Sequence, residues 1–393
     1  MKHIPVRDIL WLFVATRLLL LLITYVMYIL LTAKNYTSTP VDSVAFFTSW
    51  NHWDAINYTS IAQHGYQNTY DLAFFPLFPF LVACISQVLG SWSYILAGTI
   101  VSNAALFGAL VIIYHLIAKQ RRQWTDSEDH YSEVSNGALA HRTLLYLCVF
   151  PTAFFFFAAY NESLYLLLAS GTFLALEHER WWLAGLLGLL AALTRSIGIF
   201  LLIPYLYELW QRRERTLTHL PAILKSLLPC LLIPLGTAIY ALYCWQTFGS
   251  PLAFAVVQAH WGRQTTWPWV GILQEVSALF ANPFGSTNEA TIILNLSATF
   301  GFIFLIIAGW HKLPKSYSLW MTICLIFILT SPAMIKPDVL LSNQRFVLEL
   351  FPAFITLAQL TEKRPRTHYA SVFTSATLLA ILSTAFIMNR WIV

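Results

Sequence analysis

Long apolar runs separated by short polar breaks dominate the chain, and the runs lack both the 3.6-residue stripe of a surface helix and the alternation of a strand. Stretches of roughly 17 to 25 apolar residues are the length of a bilayer-spanning helix. They fall near 9–33, 94–118, 143–160, 162–178, 181–195, 196–210, 222–246, 291–311, 318–335, 345–361 and 369–389, which predicts about eleven spans. Lys2 and Arg7 precede the first run, which is longer than a signal-peptide core and has no small-residue cleavage site after it. A retained first span with its N-terminus inside is therefore expected.

Cationic groups at the span ends test the count. Lys119/Arg121/Arg122, His178/Arg180, Arg212/Arg213/Arg215, His311/Lys312/Lys315 and Lys363/Arg364/Arg366 should all face the cytoplasm. They do so only if residues 73–90 stay outside, and Pro76 and Pro79 suit an interfacial or re-entrant segment better than a straight span. Residues 34–93 and 247–290 thus become two outer loops, the first holding short helices. The polar stretch from Gln120 to Arg142 reads as a solvated cytoplasmic loop. With no fixed-period repeat and no linker, one membrane domain over 1–393 is expected.

Composition strengthens this reading. Of 393 residues 58% are hydrophobic and 10% charged, with a mean hydropathy of +0.63, which excludes a water-soluble globular chain. The net charge of +5 comes from the span-end clusters, so it reports membrane orientation and not nucleic-acid binding. Cys84, Cys148, Cys230, Cys244 and Cys324 lie in apolar runs without metal-ligand spacing, as buried small hydrophobes. Neither a metal nor a cofactor is expected.

Charges are so scarce that each one inside the apolar fabric is a candidate for function. Asp54 stands among Trp50, His52, Trp53, Tyr58, His64 and Tyr66 in the first outer loop, placed to act as a general base in a wet cavity; capping a helix over Ala55 to Gln63 is the structural alternative. Arg195 divides the run Trp181–Trp210, a hairpin whose arms of about 15 residues rise only ~22 Å against a core of ~30 Å. Its turn should lie in a recess, where the guanidinium needs an anion: a bound phosphate, or a bundle carboxylate such as Glu162. Asn161 and Glu162 sit at the outer junction of two spans, as cap and ion-pair partner or as substrate contacts. Arg345 opens the tenth span, either as a second phosphate clamp or as an interfacial arginine reaching for water. Arg17, inside the first span, is expected to snorkel or to find a partner in the bundle.

Taken in order, His52-Trp53-Asp54, Ile61-Ala62, Gly65-Tyr66, Phe74-Phe75-Pro76-Leu77-Phe78-Pro79, Phe150-Pro151-Thr152-Ala153, Tyr160-Asn161-Glu162-Ser163, Arg195-Ser196 and Arg345-Phe346 with Phe351-Pro352 resemble the family of the second mannosyltransferase of GPI-anchor synthesis and its prokaryotic relatives. The likeness runs along most of the chain. It implies an all-α helical bundle of the GT-C glycosyltransferase class, with a large first outer loop carrying the catalytic acid and a polyprenyl-phosphate sugar, typically mannose, as donor. By that resemblance Asp54 is the base, Arg195 and Arg345 stand near the donor phosphate, and His52, Trp53, Tyr66 and Glu162 are substrate-binding positions. Two departures bear on Asn161 and Glu162: the family often has Asn-Pro where this chain has Phe150-Pro151, and Tyr-Ser-Glu-Ser where it has Tyr160-Asn161-Glu162-Ser163. The short chain favours a prokaryotic relative whose acceptor is not a GPI intermediate.

The expected partners are a polyprenyl-phosphate-linked sugar donor, a lipid or glycan acceptor and membrane lipids. The expected location is the plasma membrane of a prokaryote, or the endoplasmic reticulum membrane of a eukaryote. A lipid transporter or flippase, or a noncatalytic membrane subunit, would share the span count; the missing inverted repeat and the long aromatic outer loop weigh against transport.

Overall fold

A computed structural model describes residues 5–32, 46, 48–90, 93–124, 132–216 and 220–391. Asp126, Glu128 and Asp129 of the expected cytoplasmic loop, and 34–45 of the first outer loop, lie outside the described residues. Among the described residues every regular element is helical, apart from one isolated antiparallel bridge between Arg263 and Ala333.

In chain order the main helices are α1 Val6–Thr32, α2 Asp54–His64, α3 Leu77–Leu89, α4 Tyr94–Trp124, α5 Ser132–Val149, α6 Glu162–Glu177, α7 Trp181–Ala192, α8 Leu202–Gln211, α9 Leu220–Leu227, α10 Leu232–Phe248, α11 Pro268–Ala281, α12 Thr287–Gly309, α13 Lys315–Leu329, α14 Phe351–Thr361 and α15 Pro365–Ile387. Five segments are long and apolar enough to cross a bilayer by themselves: α1, Tyr94–Ala118 of α4, the α9–α10 run Leu220–Phe248, α12 and α15. The protein is a multi-pass membrane protein. The remaining apolar helices are shorter, so the expected count of eleven full-length spans is not what the helix lengths alone deliver.

The spans are broken where proline or a 3-10 turn interrupts them. The expected span 143–160 is helical only to Val149, because Pro151 lacks an amide donor and disfavours helical backbone at Phe150. The chain then makes a 3-10 turn, Ala153–Phe156, whose four side chains are buried. The helix makes up the length on the other side, starting at Ser132 within the stretch read as loop. Likewise 196–210 opens with the 3-10 segment Ser196–Leu201 before α8 begins, and 345–361 opens with a one-turn helix Asn343–Phe346 and a 3-10 turn before α14. At 13 residues, α3 rises about 20 Å, too short to cross alone.

Around α6, buried along nearly its whole length, pack α4 and α7; α10 then packs on α7, and α1 packs on α15. Small residues permit the α7–α10 contact. A Cβ on Gly236 would stand 2.5 Å from the Leu189 carbonyl oxygen, and one on Gly188 2.5 Å from the Ile233 side chain. Arg17 turns inward instead of snorkelling: it is buried, with its guanidinium over the rings of Phe13 and Phe157. Of the five free cysteines, Cys84 is exposed on α3, against expectation, because its face of that short helix is left uncovered.

Candidate active site

Asp54 occupies the first turn of α2, but it does not cap the helix. The cap position belongs to Trp53, whose φ of 55° lies in the left-handed region, and no side chain there bonds the helix amides. A tryptophan held in that conformation costs on the order of 1–3 kcal/mol, which the surroundings must impose. Trp53 packs against Trp391, with ring centroids 4.9 Å apart. The Asp54 carboxylate instead reaches Arg345, whose Nη1 donates to Oδ2 at 2.6 Å.

Arg345 is only 3% exposed, so the expected alternative of a water-seeking interfacial arginine does not hold. Its Nε donates to Glu162 Oε1 at 2.5 Å, and its guanidinium carbon lies 4.6 Å from the ring centroid of Tyr160 and 4.8 Å from that of Phe155. Glu162, at the start of α6 and fully buried, accepts at the same oxygen from Arg195 Nη1 at 2.9 Å. Asn161 also accepts from Arg195 Nη1, at 2.7 Å, while its amide donates to the Thr194 carbonyl. Arg195 Nε stands 3.0 Å from Glu349 Oε1, a charge contact outside hydrogen-bond geometry. Asp54, Arg345, Glu162, Arg195 and Glu349 therefore form one continuous chain of alternating charge. The carboxylate partner considered for Arg195 is present. Burying two guanidiniums is tolerable here because each touches two acids.

This chain of charges forms one wall of a cavity of 540 Å³. Asp54, Tyr58, Asn161, Arg195 and Arg345 line it, whereas Glu162 and Glu349 do not and lie behind the two arginines. Apolar side chains, among them Ile199, Phe200, Phe254, Phe327 and Ile328, make up much of the rest. A volume of this order suits a small ligand. Burial pushes the Tyr58 phenol well above its ordinary value, so it stays a hydroxyl.

The remaining expected residues stand apart from the cavity. His52 faces the other way, its Nε2 3.4 Å from the Ile387 carbonyl, and burial holds its imidazole below the usual value. Its own carbonyl accepts from Tyr160 at 3.1 Å, which ties α2 to the α6 junction. Tyr66 donates to the Phe74 carbonyl at 2.6 Å and packs beside Tyr240 and Tyr243, pinning the bend after α2.

Two site residues escaped the sequence reading. Glu349 follows Arg345 by one helical turn, and an acid inside an expected span was the signal for it. Arg263 lies in the stretch 247–290 expected as a second outer loop, where an arginine is unexceptional. There the loop runs beside residues 330–334 through the Arg263–Ala333 bridge and the bonds Gln264 N–H to Pro332 O and Thr266 N–H to Thr330 O.

The segment that leads into Arg345 is held from α11. Glu275, fully buried, accepts the Val339 amide at 2.5 Å and the Leu340 amide at 3.1 Å. Burial lifts its carboxyl to about 7, against the pull of those amides. Between about 4.5, the unfolded value, and 7 the folded state holds a proton that the unfolded chain has lost, so stability falls as pH rises through that window. The fall should amount to about 3 kcal/mol, and Glu275→Gln should flatten it. Thermal unfolding of both proteins from pH 5 to 8 checks this; parallel curves would refute it.

Comparison with known proteins supplies the family. The profile of the family described as Mannosyltransferase (PIG-V) matches residues 6–270. GPI alpha-1,6-mannosyltransferase 2 of Mus musculus is 30% identical over 151 residues, covering 38% of this chain and 29% of that protein. GPI mannosyltransferase 2 of Schizosaccharomyces pombe is 27% identical over 154 residues, covering 39% and 31%. The aligned part thus spans under a third of these relatives' length. An oligosaccharyltransferase of Archaeoglobus fulgidus superposes with a TM-score of 0.40 at 10% identity, covering 94% of this chain and 53% of its own. It is the match over 6–270, well over half of the 393 residues and taking in Asp54, Glu162, Arg195 and Arg263, that places the chain in the PIG-V mannosyltransferase family.

Proposed function

We propose that the protein transfers a mannosyl residue from a polyprenyl-phosphate donor to a hydroxyl of a lipid-linked or glycan acceptor, on the outer face of its membrane and with inversion. The observation that carries this is Asp54. It is the only carboxylate among the described residues lining the cavity, and Arg345 fixes it through one oxygen at 2.6 Å. With Oδ2 engaged, Oδ1 is left for the acceptor.

In this reading Asp54 takes the hydroxyl proton as the acceptor oxygen bonds to the anomeric carbon, and the bond from that carbon to the phosphate oxygen breaks. Polyprenyl phosphate leaves with the bonding electrons. Arg195 and Arg345, themselves held by buried acids, keep Asp54 and the wall around it in place, so that the base needs no reorganisation as the reaction proceeds. A retaining route needs a second carboxylate as nucleophile about 5 Å from the first. The other acids of the network, Glu162 and Glu349, are screened from the cavity by the arginines.

The test supplies purified protein with radiolabelled β-linked polyprenyl-phosphate mannose and native lipid extract. A labelled product cleaved by an α-mannosidase is expected. No product, or a product resistant to that enzyme, overturns the reading.

A further inference from the structure

The arginines of the charge network leave a donor phosphate poorly served. When all five groups are ionised, Asp54, Glu162 and Glu349 outnumber Arg195 and Arg345, so that wall carries no surplus positive charge for a phosphate whose own charge grows as it departs. Arg263 differs. Among the described residues it meets no carboxylate within ion-pair distance. Its Nη1 and Nη2 instead donate to the backbone carbonyls of Ser331 at 2.8 Å and Leu341 at 3.2 Å. Two of its five N–H donors are thereby used to aim the group, and three remain.

Its position completes the argument. Arg263 lines the same cavity as Asp54 and stands 5.2 Å from the centroid of the Phe346 ring, around which Arg195 and Arg345 also gather at 5.5 and 5.8 Å. One backbone anchor, Ser331, lies two residues past α13, from whose last turn Phe327 and Ile328 join Ile199 and Phe200 in the apolar part of the cavity. Phe200 and Phe327 meet edge to face at 4.9 Å. A guanidinium thus stands where the polar and apolar parts of the cavity meet, the arrangement that suits a phosphate with a hydrocarbon chain attached. Burial and the nearby Arg345 pull Arg263 down to about 10, a penalty that a bound anion would relieve.

We infer that Arg263 is the residue that binds the phosphate of the polyprenyl-phosphate donor and of the leaving polyprenyl phosphate, while Arg195 and Arg345 hold the catalytic wall in place. This rests on the transfer reading above for the identity of the ligand, but its test does not depend on turnover. Binding of polyprenyl phosphate, of the uncharged polyprenol of equal chain length and of phosphatidic acid would be followed by tryptophan fluorescence of the whole protein in nanodiscs.

Wild type should favour polyprenyl phosphate over both others. Arg263→Gln should lose tenfold or more in affinity for polyprenyl phosphate with polyprenol unchanged, and Arg263→Lys should recover part of the loss, since a point charge remains without the planar fork. Polyprenyl-phosphate affinity unchanged in Arg263→Gln overturns the inference. So does an equal loss for polyprenol, which would make Arg263 a structural staple of the loop. Phosphatidic acid bound as tightly, with the same loss in Arg263→Gln, overturns the polyprenyl assignment. A wild type that shows the expected binding but transfers no sugar would sink the transfer reading and leave the Arg263 site standing. Turnover in a protein whose Arg263→Gln variant keeps full phosphate affinity would do the reverse.

Discussion

Asp54→Asn should lower transfer by about 10²- to 10⁴-fold, the range that a positioned general base contributes, while the protein stays folded. The amide is nearly isosteric and its oxygen still accepts from Arg345, which in addition keeps its contact with Glu162. What asparagine cannot do is take the acceptor's proton. The effect should therefore fall on kcat, with donor affinity changed little, because in this reading the phosphate lies against Arg263 and not against Asp54. Labelled-donor turnover alongside thermal unfolding separates the two; transfer within threefold of wild type would remove Asp54 from the base role.

Glu162→Ala should be the most destabilising single change at the site, by on the order of 3–5 kcal/mol, since it removes the shared acceptor of two buried guanidiniums. Glu162→Gln should cost less, because an amide oxygen can still accept although it no longer balances charge. Activity should fall in both, through loss of the position of Arg345. Denaturant unfolding with a loss below 1 kcal/mol for the alanine variant would mean that Asp54 and Glu349 alone satisfy the two arginines.

Four of the network's five residues were visible in the sequence because charge is rare in it: Asp54, Glu162, Arg195 and Arg345 each interrupt an apolar or aromatic context, while Glu349 was passed over inside an expected span. Their pairing was not visible. Arg345 meets Asp54 across 291 positions and Glu162 across 183, and nothing local encodes which acid a distant arginine will reach. The neighbours His52, Trp53 and Tyr66 share the motif with Asp54, yet Trp53 packs on Trp391, His52 faces the Ile387 carbonyl and Tyr66 bonds the Phe74 carbonyl. Sequence proximity to Asp54 therefore did not translate into a place on the cavity wall. For the fold, apolar length found the long helices α1, α4, α12 and α15. It missed the breaks at Pro151 and at Ser196–Leu201, since hydropathy does not distinguish a 3-10 turn from a helix when both are apolar.

The order in which the network's members leave the ribosome has a consequence for biogenesis. Glu162 and Arg195 are 33 residues apart and can pair within the α6–α7 hairpin soon after both are made. Arg345 follows Asp54 by 291 residues, about 15 to 60 s later at the usual 5–20 residues per second. For that interval the acid of α2 lacks the arginine it meets in the finished fold, and the site is incomplete. A chain arrested before residue 345 would thus carry Asp54 without the arginine that holds it in the finished site.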